Sequence, residues 1–157
     1  MTCKNCYLLP LLNKTLAQIS KAKVFIKLDI YQAFHQIKID PESEDFTTFW
    51  TCYGTYKCKI LPFGLTNRPT TYQWYINDVL FDYFNNFCTA YLDDIMIYSK
   101  NKLKHEKHVY KALQWLYKAG LQANIKKSEF SVKCTKYLGF IISTDRIETD
   151  PEKNSYN

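Results

Sequence analysis

No run of apolar residues in this chain approaches the roughly 18 that a helix needs to cross a bilayer, so no membrane partner is expected. No stretch ahead of the first polar segment reads as a secretory signal. Internal repeats and low-complexity tracts are also missing, which excludes repeat arrays and flexible linkers. Cys3 and Cys6 have no second, similarly spaced pair, and zinc sites of that kind need one. The six cysteines, at 3, 6, 52, 58, 88 and 134, are therefore expected to be reduced thiols of an intracellular protein, with a metal site as the alternative reading. Cys88 and Cys134 fall in apolar strand patterns and read as small core hydrophobes.

What is present fits one globular domain. The chain has 157 residues, 46% hydrophobic and 23% charged, enough for a sizeable core. Its net charge of +6 permits a polyanionic partner without naming one. Thirteen tyrosines and ten phenylalanines suit stacking on bases or sugars, although core packing claims most rings of this kind.

The stretch with the most chemical content is Ala90-Tyr91-Leu92-Asp93-Asp94-Ile95-Met96-Ile97. Two adjacent carboxylates sit between short apolar runs that read as strands, so Leu-Asp-Asp reads as a hairpin turn. Like charges this close raise each other's proton affinity and cost stability. A divalent cation removes that cost, and a hard cation such as magnesium takes one or two carboxylates plus substrate phosphates. The plainer reading is a solvated turn, because Asp is a favoured turn residue.

Other elements follow in chain order. Leu12, Leu16 and Ile19 have helical spacing. Over 24–29, Val24, Ile26 and Leu28 alternate with Phe25, Lys27 and Asp29, which predicts a strand ending on Asp29. Residues 46–51 and 56–61 read as strands of a hairpin around Tyr53-Gly54. Thr66 or Asn67 can cap a helix with Pro69 in its first turn, and Tyr72, Ile76, Val79 and Tyr83 continue it to about residue 84. A second helix is expected over 103–119, with Val109, Leu113 and Leu116 as its buried stripe and Gly120 as its stop. His105 and His108 lack the i, i+4 spacing of a zinc-protease pair and read as a solvated first turn. Residues 137–142 read as the last strand, with Gly139 marking a bulge or close backbone approach.

This order predicts an α+β fold. Without the first hairpin it is βαββαβ, a ferredoxin-like antiparallel sheet with two helices on one face. In that topology the first strand and the carboxylate hairpin are neighbours, so Asp29, Asp93 and Asp94 are expected to converge as a two-metal phosphoryl-transfer site.

Four ordered motifs carry a resemblance. Residues 25–37, Phe-Ile-Lys-Leu-Asp-Ile-Tyr-Gln-Ala-Phe-His-Gln-Ile, resemble the first catalytic motif of reverse transcriptases. Residues 61–69, Leu-Pro-Phe-Gly-Leu-Thr-Asn-Arg-Pro, resemble the nucleotide-pocket motif. Tyr91-Leu92-Asp93-Asp94 matches the Tyr-x-Asp-Asp signature, and Tyr137-Leu138-Gly139-Phe140 the primer-holding strand. The chain thus resembles the reverse transcriptase domain of Ty3/Gypsy-type long-terminal-repeat retrotransposons over about residues 7–153.

The resemblance implies a polymerase palm with a fingers-type hairpin, acting as an RNA-directed DNA polymerase. Asp29, Asp93, Asp94 and the Ile30 carbonyl would hold two magnesium ions, which manganese can replace. Tyr31, Phe34, Phe63 and Gly64 would meet the deoxynucleotide, with Phe34 excluding a ribose 2′-hydroxyl. Tyr91, Leu92, Leu138 and Gly139 would hold the primer on an RNA or DNA template. Lys126 or Lys127 stands where the family has a lysine that protonates pyrophosphate. Arg68 departs from the family, which usually has a small residue there. The N-terminal fingers segment, thumb, RNase H and integrase are expected to be absent from residues 1–157, which read as a partial domain. The alternative is an inactive retrotransposon palm with residual nucleic-acid binding.

Overall fold

The computed structural model describes residues 4, 7, 10–84 and 86–151. Its elements are α1 (Leu12–Ile19), β1 (Val24–Asp29), β2 (Phe49–Thr51), β3 (Gly54–Tyr56), α2 (Arg68–Val79), β4 (Cys88–Tyr91), β5 (Asp94–Ser99), α3 (Lys102–Lys118), β6 (Glu129–Val132), β7 (Cys134–Tyr137), β8 (Phe140–Ser143) and β9 (Ile147–Thr149). Two 3-10 turns, Ala33–Gln36 and Pro41–Thr47, lie between β1 and β2.

The central sheet is antiparallel in its pairings, with order β4-β5-β1-β6. Helix α2 lies in the connection from β1 to β4, and α3 in that from β5 to β6. This is the split βαβ arrangement of a ferredoxin-like sheet. Smaller sheets, β2-β3 and β7-β8-β9, flank it.

The period-2 pattern of β1 explains the layering, because successive side chains face opposite sides. Ile26 and Leu28 pair across to Ile97 and Ile95, and with Cys88 and Ala90 they face Tyr72 and Ile76 of α2 and Ala112 and Leu116 of α3. On the other face, Phe25, Met96 and Tyr98 pack with Ile19 of α1, Tyr137 and Ile142. This second face changes character along its length. Its far end carries Lys27, Asp29 and Asp94, all half-buried.

Local sequence accounts for the helix ends. Asn101 caps α3 by accepting the Leu103 N–H at 2.9 Å. At the other end Gly120 takes φ 72°, its N–H donates to Tyr117, and the Leu121 N–H donates to Leu116. This is a Schellman stop, and glycine enters the left-handed region without the Cβ penalty. Asn67 occupies the N-cap position of α2 without a side-chain capping bond. Pro69 fits the first turn because its missing N–H would find no partner within the helix.

Several expectations are corrected. The closing strand of the central sheet is β6, and residues 137–142 instead lie across the β7-β8 hairpin. Leu138 and Gly139 are its turn, with φ 55° and 79°. The expected strands over 46–51 and 56–61 shrink to three residues each, none buried. Helix α2 ends at Val79, with Tyr83 in the turns that follow. The buried stripe of α3 is His105, Ala112 and Leu116, while Leu113 is exposed. His105 is buried, and the Nδ1 atoms of His105 and His108 both meet Ser99 Oγ, at 3.0 and 2.7 Å. Burial holds both imidazoles below their ordinary pKa. Cys88 is buried as expected, but Cys134 is exposed, and Cys3 and Cys6 lie outside the described residues.

Ile97, fully buried at the centre of the sheet, tests this packing. Ile97→Ala is expected to lower unfolding free energy by about 2–5 kcal/mol through lost transfer energy and a residual cavity. Urea denaturation checks this as a lower midpoint at unchanged slope.

Candidate active site

The site begins with the register of β1 against β5. Asp29 lies directly opposite Asp94, so both carboxylates leave the same face. Asp93 falls in the two-residue turn between β4 and β5, after Leu92 at φ 51°. The Ile30 N–H donates to the Asp93 carbonyl at 2.9 Å, tying the hairpin tip to the end of β1.

Buried polar groups hold these elements in place. Gln73 of α2 is fully buried. Its Oε1 accepts the Leu92 N–H at 2.8 Å, and its Nε2 donates to the Ala90 carbonyl at 3.1 Å and to Asn77 Oδ1 at 2.8 Å. A left-handed non-glycine residue at a turn is strained and needs support from its surroundings. Gln73 gives Leu92 that support. On the other side of β1, Ser128 Oγ accepts the Asp29 N–H at 3.1 Å, and the Asn124 N–H donates to the Asp29 carbonyl at 2.7 Å. Past Asp29, Gln32 takes φ 44° and starts the 3-10 turn that carries Phe34.

These constraints form a cavity of about 500 Å³ whose lining includes Asp29, Ile30, Tyr31, Phe34, Phe63, Asp93 and Lys127. The Phe34 ring packs against Tyr72 at 5.0 Å between centroids. Tyr72 is buried beneath, and burial first, then the Asp93 charge, pushes its phenol well above its ordinary pKa. Arg68 and Asn124 also line the cavity.

The third carboxylate is placed differently. Asp94 Oδ2 pairs with Lys27 Nζ at 3.2 Å, and Asp94 does not line the cavity. Burial raises the Asp94 pKa, Lys27 pulls it back, and the Asp93 and Asp29 charges add to the rise. Among the described residues no three His, Cys, Asp or Glu side chains are gathered so as to hold a metal ion. Asp29 and Asp93 share the cavity, and Asp94, opposite Asp29 across the β1-β5 pair, stands outside its lining. Two carboxylates leave room for water and phosphate oxygens, which is how magnesium is usually bound.

The remaining expected site residues lie outside the cavity. Gly64, at φ 94°, is in the turn after Phe63 and is not part of the lining, and neither is Lys126. Tyr91 and Leu138 pack against the second core cluster with Phe140. Gly139 accepts the Asp150 N–H at 3.0 Å. Sequence reasoning missed Gln73 and Asn124. The one signal for Gln73 is a polar residue between the apolar positions Tyr72 and Ile76 of a helical pattern.

Comparison with known proteins decides the family. The family model for reverse transcriptase (RNA-dependent DNA polymerase) matches residues 2–142. The chain belongs to the reverse transcriptase family. The retrovirus-related Pol polyproteins of the Drosophila melanogaster transposons opus and gypsy are 38% and 35% identical to this reverse transcriptase chain, over 98% and 97% of its length. The Tf2-3 polyprotein of Schizosaccharomyces pombe is 35% identical over 88%. These are Gypsy-type relatives, and the chain spans only 15%, 15% and 10% of their lengths. The foamy viral protease-reverse transcriptase in complex with RNA/DNA hybrid shares the fold at TM-score 0.84 and 22% identity, covering 98% of this chain and 21% of that one. The native prototype foamy virus protease-reverse transcriptase matches at TM-score 0.70 and 26% identity, covering 91% of this chain and 19% of that one.

Two outcomes test this geometry. Lys27→Met is expected to raise the Asp94 pKa further, read by NMR titration of its carboxyl. A carboxyl whose pKa is raised by folding binds protons more tightly in the folded state, so stability falls as pH rises from the ordinary carboxylate value through the folded one. The substitution extends that window upward. Gln73→Leu leaves the Leu92 N–H without its acceptor and is expected to cost about 1–3 kcal/mol. Faster hydrogen exchange at the Leu92 amide would accompany the loss.

Proposed function

We propose that this chain carries the catalytic palm of an RNA-directed DNA polymerase, which joins deoxynucleotides to a primer 3′-hydroxyl on an RNA or DNA template. The observation that carries this reading is the shared cavity: Asp29 and Asp93 line it with the aromatic residues Phe34 and Phe63. Asp29 and Asp93, with Asp94 and the Ile30 carbonyl beside them, would hold two magnesium ions, or manganese in their place. When bound, such ions supply Lewis-acid activation of the attacking hydroxyl and stabilise the leaving pyrophosphate.

The chain's own groups do the rest. Lys27 neutralises Asp94, so Asp94 becomes a ligand only as that ion pair opens. Phe34, whose ring packs on Tyr72, would exclude a ribose 2′-hydroxyl. Tyr31 and Phe63 offer exposed aromatic surface to the nucleotide. Lys127 is the better placed of the two lysines to face phosphate oxygens and to donate a proton to pyrophosphate, because it lines the cavity and Lys126 does not. Tyr91 and Leu92, at the end of β4 and in the turn after it, and Leu138 and Gly139, in the β7-β8 turn, would position the primer strand. Positioning contributes several kcal/mol of the barrier in phosphoryl transfer. Thumb, RNase H and integrase segments of a larger polyprotein would complete the machinery in cis.

The test is primer extension on an RNA template with magnesium or manganese. Asp93→Asn is expected to lower the rate by at least about a hundredfold, because the lost metal ligand removes several kcal/mol of stabilisation. Extension that persists unchanged in Asp93→Asn would overturn the assignment. Nucleic-acid binding without any extension would identify the chain as an inactive palm.

A further inference from the structure

Arg68 stands where the family resemblance predicts a small residue. It opens α2, is only 7% exposed, and lines the cavity that holds Asp29, Asp93 and Lys127. Its guanidinium carbon lies 4.0 Å from the centre of the Phe34 ring and 3.5 Å from that of Phe63. Its Nε is buried with no hydrogen-bond partner. Among the described residues no carboxylate pairs with it, and burial lowers its pKa.

A guanidinium withdrawn from water without an anion is costly to keep. The two ring faces return part of that cost through cation–π attraction. They also fix the plane of the group and leave it few other rotamers, so it meets a ligand already ordered. What the arrangement lacks is an anion with several oxygen acceptors. A planar guanidinium engages carboxylate or phosphate oxygens two at a time. The carboxylates that share the cavity are not paired with it, and the cavity's other cation is Lys127. The cavity therefore combines two acids suited to metal ions with two cations suited to a polyanion.

We infer that Arg68 is a phosphate-recognising residue of this cavity, taking the polyphosphate of a nucleoside triphosphate on the aromatic side opened by Phe34 and Phe63. The nucleoside part rests on the polymerase reading above. The polyphosphate part rests on Arg68 itself.

Isothermal titration of the chain with three probes separates the two: dTTP with magnesium, thymidine, and inorganic tripolyphosphate. Arg68→Met keeps an unbranched stem against the rings and removes the charge, while Arg68→Lys keeps the charge and loses the planar fork. Arg68→Met is expected to weaken dTTP and tripolyphosphate by about tenfold or more, as fits a lost charge-assisted contact, and to leave thymidine unchanged. Arg68→Lys is expected to fall between, which keeps the test open if the methionine variant does not fold. Unchanged dTTP and tripolyphosphate binding in Arg68→Met removes the inference and leaves the polymerase reading intact. Tighter dTTP binding in that variant also removes it, because the guanidinium would then fill space the nucleotide needs. Tripolyphosphate binding that requires Arg68, without magnesium-dependent dTTP binding, supports Arg68 and removes the polymerase reading. A wild-type chain that binds neither overturns both.

Discussion

The antiparallel register of β1 on β5 is the constraint on which the site depends. Because Asp29 falls opposite Asp94, and the next N–H reaches the Asp93 carbonyl, three acidic residues are placed by main-chain geometry rather than by their own preferences. Like charges directly opposite on neighbouring strands destabilise a sheet. A one-residue slip of β1 would relieve that repulsion, but it would also turn Ile26 and Leu28 out of the helix-facing core they share with Ile95 and Ile97. Hydrophobic burial thus holds the acids together, and the charge repulsion is carried as a local cost of function.

The second face of the sheet shows how that cost is contained. Its apolar half is covered by α1 and the β7-β9 sheet, and its charged half lies where that cover ends. Lys27, two residues before Asp29 on the same strand and face, neutralises one acid. The other two acids face the cavity. Gln73 and Asn124 act on the backbone of the site instead, one from a helix and one from a loop. The acidic cluster is therefore held by neutral hydrogen bonds, which leave its charge available.

How much of this was legible in the sequence depends on where the signal lay. The strand Val24–Asp29 is found where the alternation placed it, and the carboxylate hairpin forms as expected except that its turn is Leu92-Asp93 and Asp94 already opens β5. The stop of α3 was legible because Gly120 is local chemistry. Strand β6 was not, because Glu-Phe-Ser-Val is short and mixed in polarity, and its place at the sheet edge comes from pairing with β1. Residues 137–142 looked like one strand because Leu138 is apolar, but Leu138 and Gly139 both take positive φ and turn the chain. The histidines of α3 were misread for a related reason. A charged-looking first turn, Lys-His-Glu-Lys-His, hides one ring that faces Ser99 and another that stacks on Phe87. The aspartate positions were legible from spacing, whereas the Lys27–Asp94 pair, which neutralises the third acid, required the fold.

The β2-β3 hairpin differs from the rest of the molecule in a way that bears on its dynamics. All six of its strand residues are exposed, and among the described residues it pairs with no other strand. A segment that buries so little depends on its own ladder, the Phe49–Tyr56 ring stack and the bonds of its flanks, such as Cys58 N–H to Thr47 Oγ1, and isolated two-stranded ribbons are marginal in water. Local opening without global unfolding is the expected route of exchange for its amide protons, whereas those of β1 and β5 are shielded by the packed sheet. The element with the least burial thus carries the uncovered rings of Trp50 and Tyr53, so these two rings sit on the part of the molecule that costs least to open.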